Sequence, residues 1–242
     1  MLDRSPRPVK IVLCYIAVTN GRLTEDYCAR FVTTYHEFPP GIEHETMVIA
    51  NGGALSQNIT LLFWDMNASM WPHENDAGWD ISGYIDAARG PCADADMMLC
   101  CGESVYFHRE GWLKRLVDAW GKHGPGMYGP FASNLVRSHL NTTAFFTSPK
   151  LLRQSPVNPR DRYGWEHGEH SFWRWVSERG MPVRLVTWDG EWEPRAWRMP
   201  PNILWRGNQT NCLMWCNHTD HYAGADPKVR SRWSSNADRP FK

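Results

Sequence analysis

The sequence predicts one α/β domain with a mostly parallel central sheet, flanking helices and an irregular, tryptophan-rich C-terminal tail. Continuous apolar runs at 9–18 and 96–101 are typical of strands that are buried on both faces. Segments with helical periodicity alternate with such runs, which is the pattern of a parallel sheet. The length of 242 residues fits a single domain, 1–242, whose core is large enough to need no disulfide bonds.

The first half of the chain alternates between strands and helices. The predicted elements are a strand at 9–18, a helix from Thr24 that stops at 38–41, a strand at 46–50, a helix over the second half of 73–90 and a strand at 96–101. We expect Thr24 to cap its helix. The apolar face of that helix carries three rings four residues apart, Tyr27, Phe31 and Tyr35. The apolar stretch at 56–64 does not reveal whether it forms a helix or a strand.

The second half continues the alternation and then loses it. The predicted elements are a helix at 110–120, short strands at 127–131 and 143–147, a helix at 166–179 and a strand at 183–188. From Asp189 the chain is rich in Trp, Pro and Asn and has weak periodicity. We therefore expect an irregular tail that wraps over a site.

Charge and cysteine content exclude several classes of function. Zero formal net charge, from 26 basic and 26 acidic side chains, argues against a nucleic-acid partner. No apolar run reaches the roughly 18 residues of a membrane span, and 1–10 lacks the apolar core of a signal peptide. Seven cysteines without a C-x-x-C pair indicate a reducing compartment, so we expect a cytoplasmic protein.

Tryptophan is unusually frequent, with 14 residues. Such rings either pack a core or line a groove that stacks on a flat or sugar-like ligand. Positions in predicted helices and strands indicate core packing for Trp112, Trp120, Trp173 and Trp188. We expect stacking against a ligand for Trp165 and for the rings of the tail, Trp192, Trp197, Trp205 and Trp215.

Polar residues follow three predicted strands, at the carboxyl ends where parallel sheets bind their ligands. The three turns are 19–21, 51–53 and 102–104, and the same rule directs attention to the segment from 164 onward. Glu103, which comes directly after a strand, either ligates a divalent cation or caps the following loop. Asp94 and Asp96 precede the same strand, so we expect them to be solvated at the opposite end of the sheet.

Two carboxylates and two imidazoles lie within five consecutive residues, 166–170. On one helix, Glu166 with Glu169 and His167 with His170 would share faces at i, i+3. Such a cluster can supply a general base, hold a transition metal or begin a helix with polar residues. A second group at 217–221 places two histidines around an aspartate, and it fits either a ligand site or a structural role.

The order of these motifs resembles that of the GT-A class of nucleotide-sugar glycosyltransferases, in particular small family-2-like enzymes of bacteria and large DNA viruses. The resemblance covers residues 9–222 and rests on five segments, VIANGGALS, ENDAGWDISGYIDAARG, MMLCCGESVYFHREGWLKRL, GWEHGEHSFWRW and SERGMPVRLV. They are similar to the family's second-strand turn, its N-x-G segment and helix, its central strand with the acidic motif, its catalytic-base segment and its last helix and strand.

The resemblance implies a single GT-A-like, Rossmann-like domain. Its part 9–104 would bind the nucleotide, its part 105–222 would bind the acceptor, and 223–242 would form the tail. Nucleotide binding is implied for Ala17, Thr19, Asn20, Asn51, Asn75, Gly78, Asp80 and Glu103. Sugar or acceptor binding is implied for Trp165, His139 and Thr142. The implied general base is Glu166, with Glu169 and His167 as alternatives.

The family's Asp-x-Asp motif reads Gly102-Glu103-Ser104 here, which leaves one carboxylate for a divalent cation, Mn²⁺ or Mg²⁺. His218 resembles the late histidine ligand of some GT-A enzymes and would join Glu103. The implied reaction moves a hexosyl or deoxyhexosyl group from a nucleotide-sugar donor to a hydroxyl of a glycan acceptor, inverting the anomeric centre by a single displacement. The residues alone also fit a non-catalytic carbohydrate-binding module or a metal-dependent hydrolase.

Overall fold

An eight-stranded sheet forms the centre of the protein in a computed structural model that describes residues 8–19, 21–74, 79–133, 137–200 and 203–237. The strands in chain order are β1 (Ile11–Val18), β2 (Glu45–Asn51), β3 (Ser69–His73), β4 (Met97–Cys101), β5 (Met127–Gly129), β6 (Ala132–Ser133), β7 (His139–Leu140), β8 (Ala144–Thr147), β9 (Val183–Val186) and β10 (Glu191–Trp192). The order across the sheet is β10-β9-β5-β8-β4-β1-β2-β3, and β6 pairs with β7 outside it.

Most of the sheet is parallel, as predicted. The pairs β3–β2, β2–β1, β1–β4 and β5–β9 are parallel. Strand β8 runs antiparallel to both β4 and β5, and β10 runs antiparallel to β9. The carboxyl ends of β1, β2 and β4 therefore meet at one edge of the sheet, which is where the sequence places its polar turns.

Helices flank this sheet. They are α1 (Thr24–Glu37), α2 (Gln57–Leu62), α3 (Trp79–Arg89), α4 (Trp112–His123), α5 (Pro149–Gln154), α6 (Arg162–His167), α7 (Phe172–Glu178), α8 (Asn217–Gly224) and α9 (Pro227–Ala237), with short 3-10 helices at Trp64–Met66 and Pro194–Ala196. No helix among the described residues combines the length and the apolar character needed to cross a bilayer.

Apolar burial fixes the central strands. The first seven residues of β1 and all five of β4 are buried, so both faces of these strands are packed. Trp112 of α4 stacks on Phe107 with 3.8 Å between ring centroids, and its Nε1 donates to the Phe38 carbonyl at 2.8 Å. This packing holds the segment after β4 against the end of α1, and thus positions the turn that contains Glu103.

The predicted helix 166–179 is interrupted. Helix α6 ends at His167, the backbone of Gly168 is extended with φ −62° and ψ 161°, and α7 begins at Phe172. Glu169 and the following histidine therefore lie in an exposed turn. The expected i, i+3 pairs on one continuous helix are wrong.

The tail beyond residue 189 is more regular than the sequence predicts, because it contains α8 and α9. Trp205 joins these helices: its ring lies 6.2 Å from Tyr222 and 5.0 Å from Trp233 between centroids. The tyrosine hydroxyl also lies 2.6 Å from Ser234 Oγ. The tail is thus a packed part of the fold.

The tryptophans divide differently from the prediction. Trp112, Trp120 and Trp173 are buried, as expected. Three rings that we expected to stack on a ligand are also buried, Trp165 at 1%, Trp197 at 2% and Trp205 at 7% exposure. Since Trp165 stacks on Phe172 in the core at 4.7 Å between centroids, the prediction that it binds an acceptor sugar is wrong.

Candidate functional site

A cleft of about 720 Å³ lies at the carboxyl ends of β1, β2 and β4. Its walls come from segments that are far apart in sequence, since the turns after these strands meet the starts of α1, α3, α6 and α8. The polar and aromatic residues that line it include Arg22, Tyr27, Asn51, Asp80, Glu103, Arg162 and His218. A ligand in this cleft would meet two carboxylates and two guanidinium groups.

Glu103 is held at the end of β4 by bonds to β1. Its Oε2 accepts the Val18 N–H at 3.2 Å, and its carbonyl accepts the Tyr15 hydroxyl at 2.7 Å. Burial raises the pKa of Glu103, an effect that the Val18 N–H opposes. Thr24 Oγ1 donates to the Val18 carbonyl at 2.6 Å, so Thr24 ties α1 to β1 and is not the predicted helix cap.

Asn51 at the end of β2 is fixed by a chain of side-chain contacts. Its Oδ1 lies 2.9 Å from His73 Nδ1, and His73 Nε2 lies 3.1 Å from Asp86 Oδ2. The Thr19 N–H donates to the Asn51 carbonyl at 3.0 Å, which joins the ends of β1 and β2. Contacts within the protein therefore hold this part of the cleft in place.

Asp80 lies in the first turn of α3 and faces Arg162 of α6. Its Oδ1 accepts the N–H of Ile81 at 3.1 Å, and its Oδ2 lies 3.8 Å from Arg162 Nη2. Burial raises the pKa of Asp80, and the Arg162 charge offsets only part of that rise. A carboxylate with a raised pKa in a cleft is suited to accept a proton.

His218 enters the cleft on α8, which is anchored to the body of the protein. Asp220 of α8 accepts hydrogen bonds from Arg30 Nη1 at 2.7 Å and from the Tyr106 hydroxyl. The Arg30 guanidinium also lies over the Tyr106 ring, 3.9 Å from its centroid. Ser104, next to Glu103 in the chain, donates to Asn217 Oδ1 at 3.1 Å.

A buried cluster lies behind the cleft. Glu166 Oε1 accepts hydrogen bonds from Thr142 N–H at 2.7 Å and from Thr142 Oγ1 at 2.8 Å, and Oε2 lies 3.4 Å from His167 Nε2. Burial acts to raise the pKa of Glu166, but His139, Thr142 and Arg162 together lower it. Glu166 is therefore held as an ionised carboxylate.

Burial disfavours the protonated form of both imidazoles of this cluster. Burial lowers the pKa of His139 to about 4, although the Glu166 charge opposes it. Burial also lowers the pKa of His167. Their rings meet edge to face with 4.1 Å between centroids. His218 interacts electrostatically with Glu166 and connects the cluster to the cleft.

The cleft brings together four residues that the sequence indicated, Asn51, Asp80, Glu103 and His218. Thr19 adjoins Asn51, whereas Ala17 is fully buried in β1 between two residues that line the cleft. Asn20, Asn75 and Gly78 lie outside the described residues. Asp94 and Asp96 bind Lys10 at the opposite end of β4, which confirms that they are away from the site.

Other predicted residues take different places. His139, Thr142, Glu166 and His167 form the buried cluster, and Glu169 is exposed in the turn after α6. Tyr27, which the sequence places on the apolar face of α1, lines the cleft. Sequence reasoning missed Arg22 and Arg162, because one lies in an ordinary turn and the other begins a helix that had not been located.

Comparison with protein-family models and with curated protein sequences gave no match. Solved structures are similar in part. S. aureus TarS has a TM-score of 0.45 at 14% identity over 62% of this chain and 30% of its own. Galactosyltransferase LgtC, in complex with donor and acceptor sugar analogs, has a TM-score of 0.42 at 13% identity over 69% of this chain and 65% of its own. HddC from Yersinia pseudotuberculosis has a TM-score of 0.45 at 10% identity over 65% of this chain and 84% of its own.

The chain thus spans less than two thirds of TarS and of LgtC. All three TM-scores are below 0.5, so the function of this chain has to be argued from its own residues.

Proposed function

We propose that this protein is a glycosyltransferase that binds a nucleotide sugar in the cleft and moves the sugar to a hydroxyl of a glycan acceptor. The observation that carries the proposal is the meeting of Asn51, Asp80, Glu103 and His218 at one edge of the sheet, together with Arg162. Open α/β sheets bind ligands at this edge. The order of motifs that resembles the GT-A class supports the same activity.

The charges of the cleft suit a diphosphate joined to a polar sugar. Arg22 and Arg162 can pair with phosphate oxygens, which are anionic and accept hydrogen bonds from guanidinium groups. The Tyr27 ring offers a surface for a nucleobase. Asn51 and Glu103 supply acceptors for hydroxyl groups. A nucleotide sugar has all of these parts.

Glu103 and His218 also fit a divalent cation that the donor brings to the site. Oε2 of Glu103 accepts the Val18 N–H. We assign its other oxygen to the metal. Carboxylate and imidazole together favour Mn²⁺ over Mg²⁺, and phosphate oxygens and water would supply the other ligands. Such a cation would offset the charge that develops on the leaving diphosphate.

Asp80 is our choice for the general base that takes the proton of the acceptor hydroxyl. It lines the cleft and lies near Arg162, whereas Glu166 lies behind the wall with one oxygen engaged by Thr142. Glu169 is exposed in the turn after α6 and is not one of the residues that line the cleft. Direct displacement with Asp80 as base would invert the anomeric centre.

Nucleotide-sugar binding can be tested by thermal unfolding with UDP-, GDP- and dTDP-sugars, with and without Mn²⁺. A donor at 100 times its Kd should stabilise the fold by about 2.7 kcal/mol. For a chain of this size that is a rise in Tm of about 5–10 °C. No rise with any donor would contradict the proposal.

Glu103→Gln should weaken donor binding by about tenfold or more, because it removes a charge that faces the ligand and keeps the bond to Val18. Isothermal titration would measure this loss. Asp94→Asn is the matched control, since Asp94 binds Lys10 at the other end of the sheet and should leave donor affinity unchanged. Equal affinity in Glu103→Gln and wild type would show that Glu103 does not contact donor or metal.

The carbohydrate-binding module is less well supported, because the cleft lining among the described residues contains Tyr27 and no tryptophan. Release of nucleoside diphosphate in the presence of acceptor would separate the enzyme from such a module.

A further inference from the structure

The proposed transfer reaction leaves the buried cluster behind the cleft without a role. His139, Glu166 and His167 each offer one ligand atom, and these three atoms lie within 4.8 Å of one another. Glu166 Oε2 and His167 Nε2 are 3.4 Å apart. In a tetrahedral zinc site with bonds of about 2.0–2.2 Å, neighbouring ligand atoms are about 3.3 Å apart. The spacing already present therefore suits two ligands of one ion.

Surrounding hydrogen bonds orient two of the three groups, His139 and Glu166, as the outer contacts of metal ligands do. His139 Nδ1 lies 2.7 Å from the Arg137 carbonyl, so it carries the proton and leaves the lone pair on Nε2. Thr142 N–H and Oγ1 both donate to Glu166 Oε1, which holds the carboxylate in place and leaves Oε2 toward His167. Metal-bound histidines and carboxylates usually have such partners.

The cluster also contains an unsatisfied polar atom. His167 Nδ1 is buried and has no hydrogen-bond partner among the described residues. No hydrogen bond at Nδ1 therefore opposes the tautomer that leaves the lone pair on Nε2, the nitrogen next to Glu166. Two imidazole nitrogens and one carboxylate oxygen form a donor set that favours Zn²⁺ over Mg²⁺ or Ca²⁺.

We propose that His139, Glu166 and His167 bind one transition-metal ion, Zn²⁺ before others, in the absence of any nucleotide sugar. Three protein ligands leave a fourth position for water or another ligand. The ion would join β7, which carries His139, to the end of α6 and would so stiffen the wall that carries Arg162. This site is separate from Glu103, so its existence does not depend on the proposed transfer reaction.

The test uses the full chain after removal of metals with a chelator. Co²⁺ is titrated in by its visible absorption, and Zn²⁺ affinity is measured by competition, both without nucleotide. We expect one equivalent of Co²⁺ with the strong absorption of a four-coordinate site, displaced by Zn²⁺. Absence of Co²⁺ and Zn²⁺ binding by the wild-type chain would overturn the proposal.

Variants locate the site. Glu166→Gln keeps the size of the side chain and an acceptor for Thr142, and it should weaken Zn²⁺ binding more than 100-fold. Thr142→Val removes one outer hydrogen bond and should weaken it about 10–100-fold. Glu169→Gln and His170→Gln, which change an acid and an imidazole of the adjacent exposed turn, should bind as the wild type does.

Circular dichroism and cooperative thermal unfolding establish that each variant is folded. If Glu166→Gln does not fold, His167→Gln carries the same test, because that ring is less deeply buried. Unchanged Zn²⁺ affinity in the folded variant would overturn the assignment of these ligands. If the chain binds Zn²⁺ but no nucleotide sugar, the proposed transfer reaction is contradicted and the proposed metal site is not.

Discussion

Asp80 and Glu103 share one cleft and both have raised pKa values, but their contacts give them different tasks. Glu103 is tied to β1 through the Val18 N–H, at the strand end where the nucleotide is expected. Asp80 is tied to its own helix and lies near the guanidinium of Arg162. The two acids can therefore be separated experimentally, one by affinity and the other by turnover.

Asp80→Asn should lower kcat by about 10²–10⁴ while donor affinity changes little, because a general base acts in the transfer step and not in donor binding. Steady-state kinetics and donor titration on the same preparation would measure both. If donor affinity falls and kcat of the saturated enzyme does not, Asp80 is a nucleotide-binding residue, as the family resemblance implies.

At this scale the sequence predicts strand-end residues well and buried clusters poorly. Asn51 and Glu103 could be found because each follows an apolar strand, and such ends converge in a parallel sheet. Arg22 and Tyr27 could not, since their position depends on how α1 leaves β1. The exposure of Glu169 depends on one extended residue, Gly168, that a helical pattern does not reveal.

Helix α8 is the element that completes the cleft, and its anchor is ionic. Asp220 pairs with Arg30 of α1 and with the Tyr106 hydroxyl, so α8 is held by residues near the other strand-end turns. The sequence indicated a role for 217–221 but not a helix, because the tail has weak apolar periodicity. Strand β3 is not predicted by the sequence, because Pro72, the fourth of its five residues, argues against a strand.

Asp220→Asn should loosen α8 and weaken donor binding by several-fold, while it lowers global stability by no more than about 1 kcal/mol because the pair is partly exposed. In this variant, amide hydrogen exchange should be faster in α8 than in β1. Asp118→Asn breaks an ion pair with Lys114 on α4 and serves as the control. Equal donor affinity in the two variants would contradict the anchoring role.

At the scale of the whole molecule, Glu191 joins β10, an edge strand of the sheet, to α4. Its two oxygens accept hydrogen bonds from Arg115 at 2.9 Å and Lys122 at 2.7 Å. Burial acts to raise the pKa of Glu191, but these two cations lower it to about 2. The folded state therefore binds this proton less readily than the unfolded state, and the carboxylate stabilises the fold above the ordinary range of its pKa.

Stability should fall as the pH drops from about 4.5 toward 2, and Glu191→Gln should reduce the part of this fall that comes from Glu191. Because Lys122 is exposed to solvent, the contribution of Glu191 to this loss of stability is limited to about 1 kcal/mol. Urea unfolding at several pH values would measure it. Glu178→Gln, at the exposed end of α7, is the control. The same acid sensitivity in Glu191→Gln and wild type would contradict the prediction.

The position of His218 on α8 has a consequence for how the protein matures. Glu103 and Asn51 leave the ribosome long before α8 is made, and their strands can pair without it. A nascent or truncated chain that stops before residue 217 would have the carboxyl ends of β1, β2 and β4 but would lack the wall of the cleft that α8 supplies. Ligand binding would therefore appear late in synthesis, only after α8 has been made.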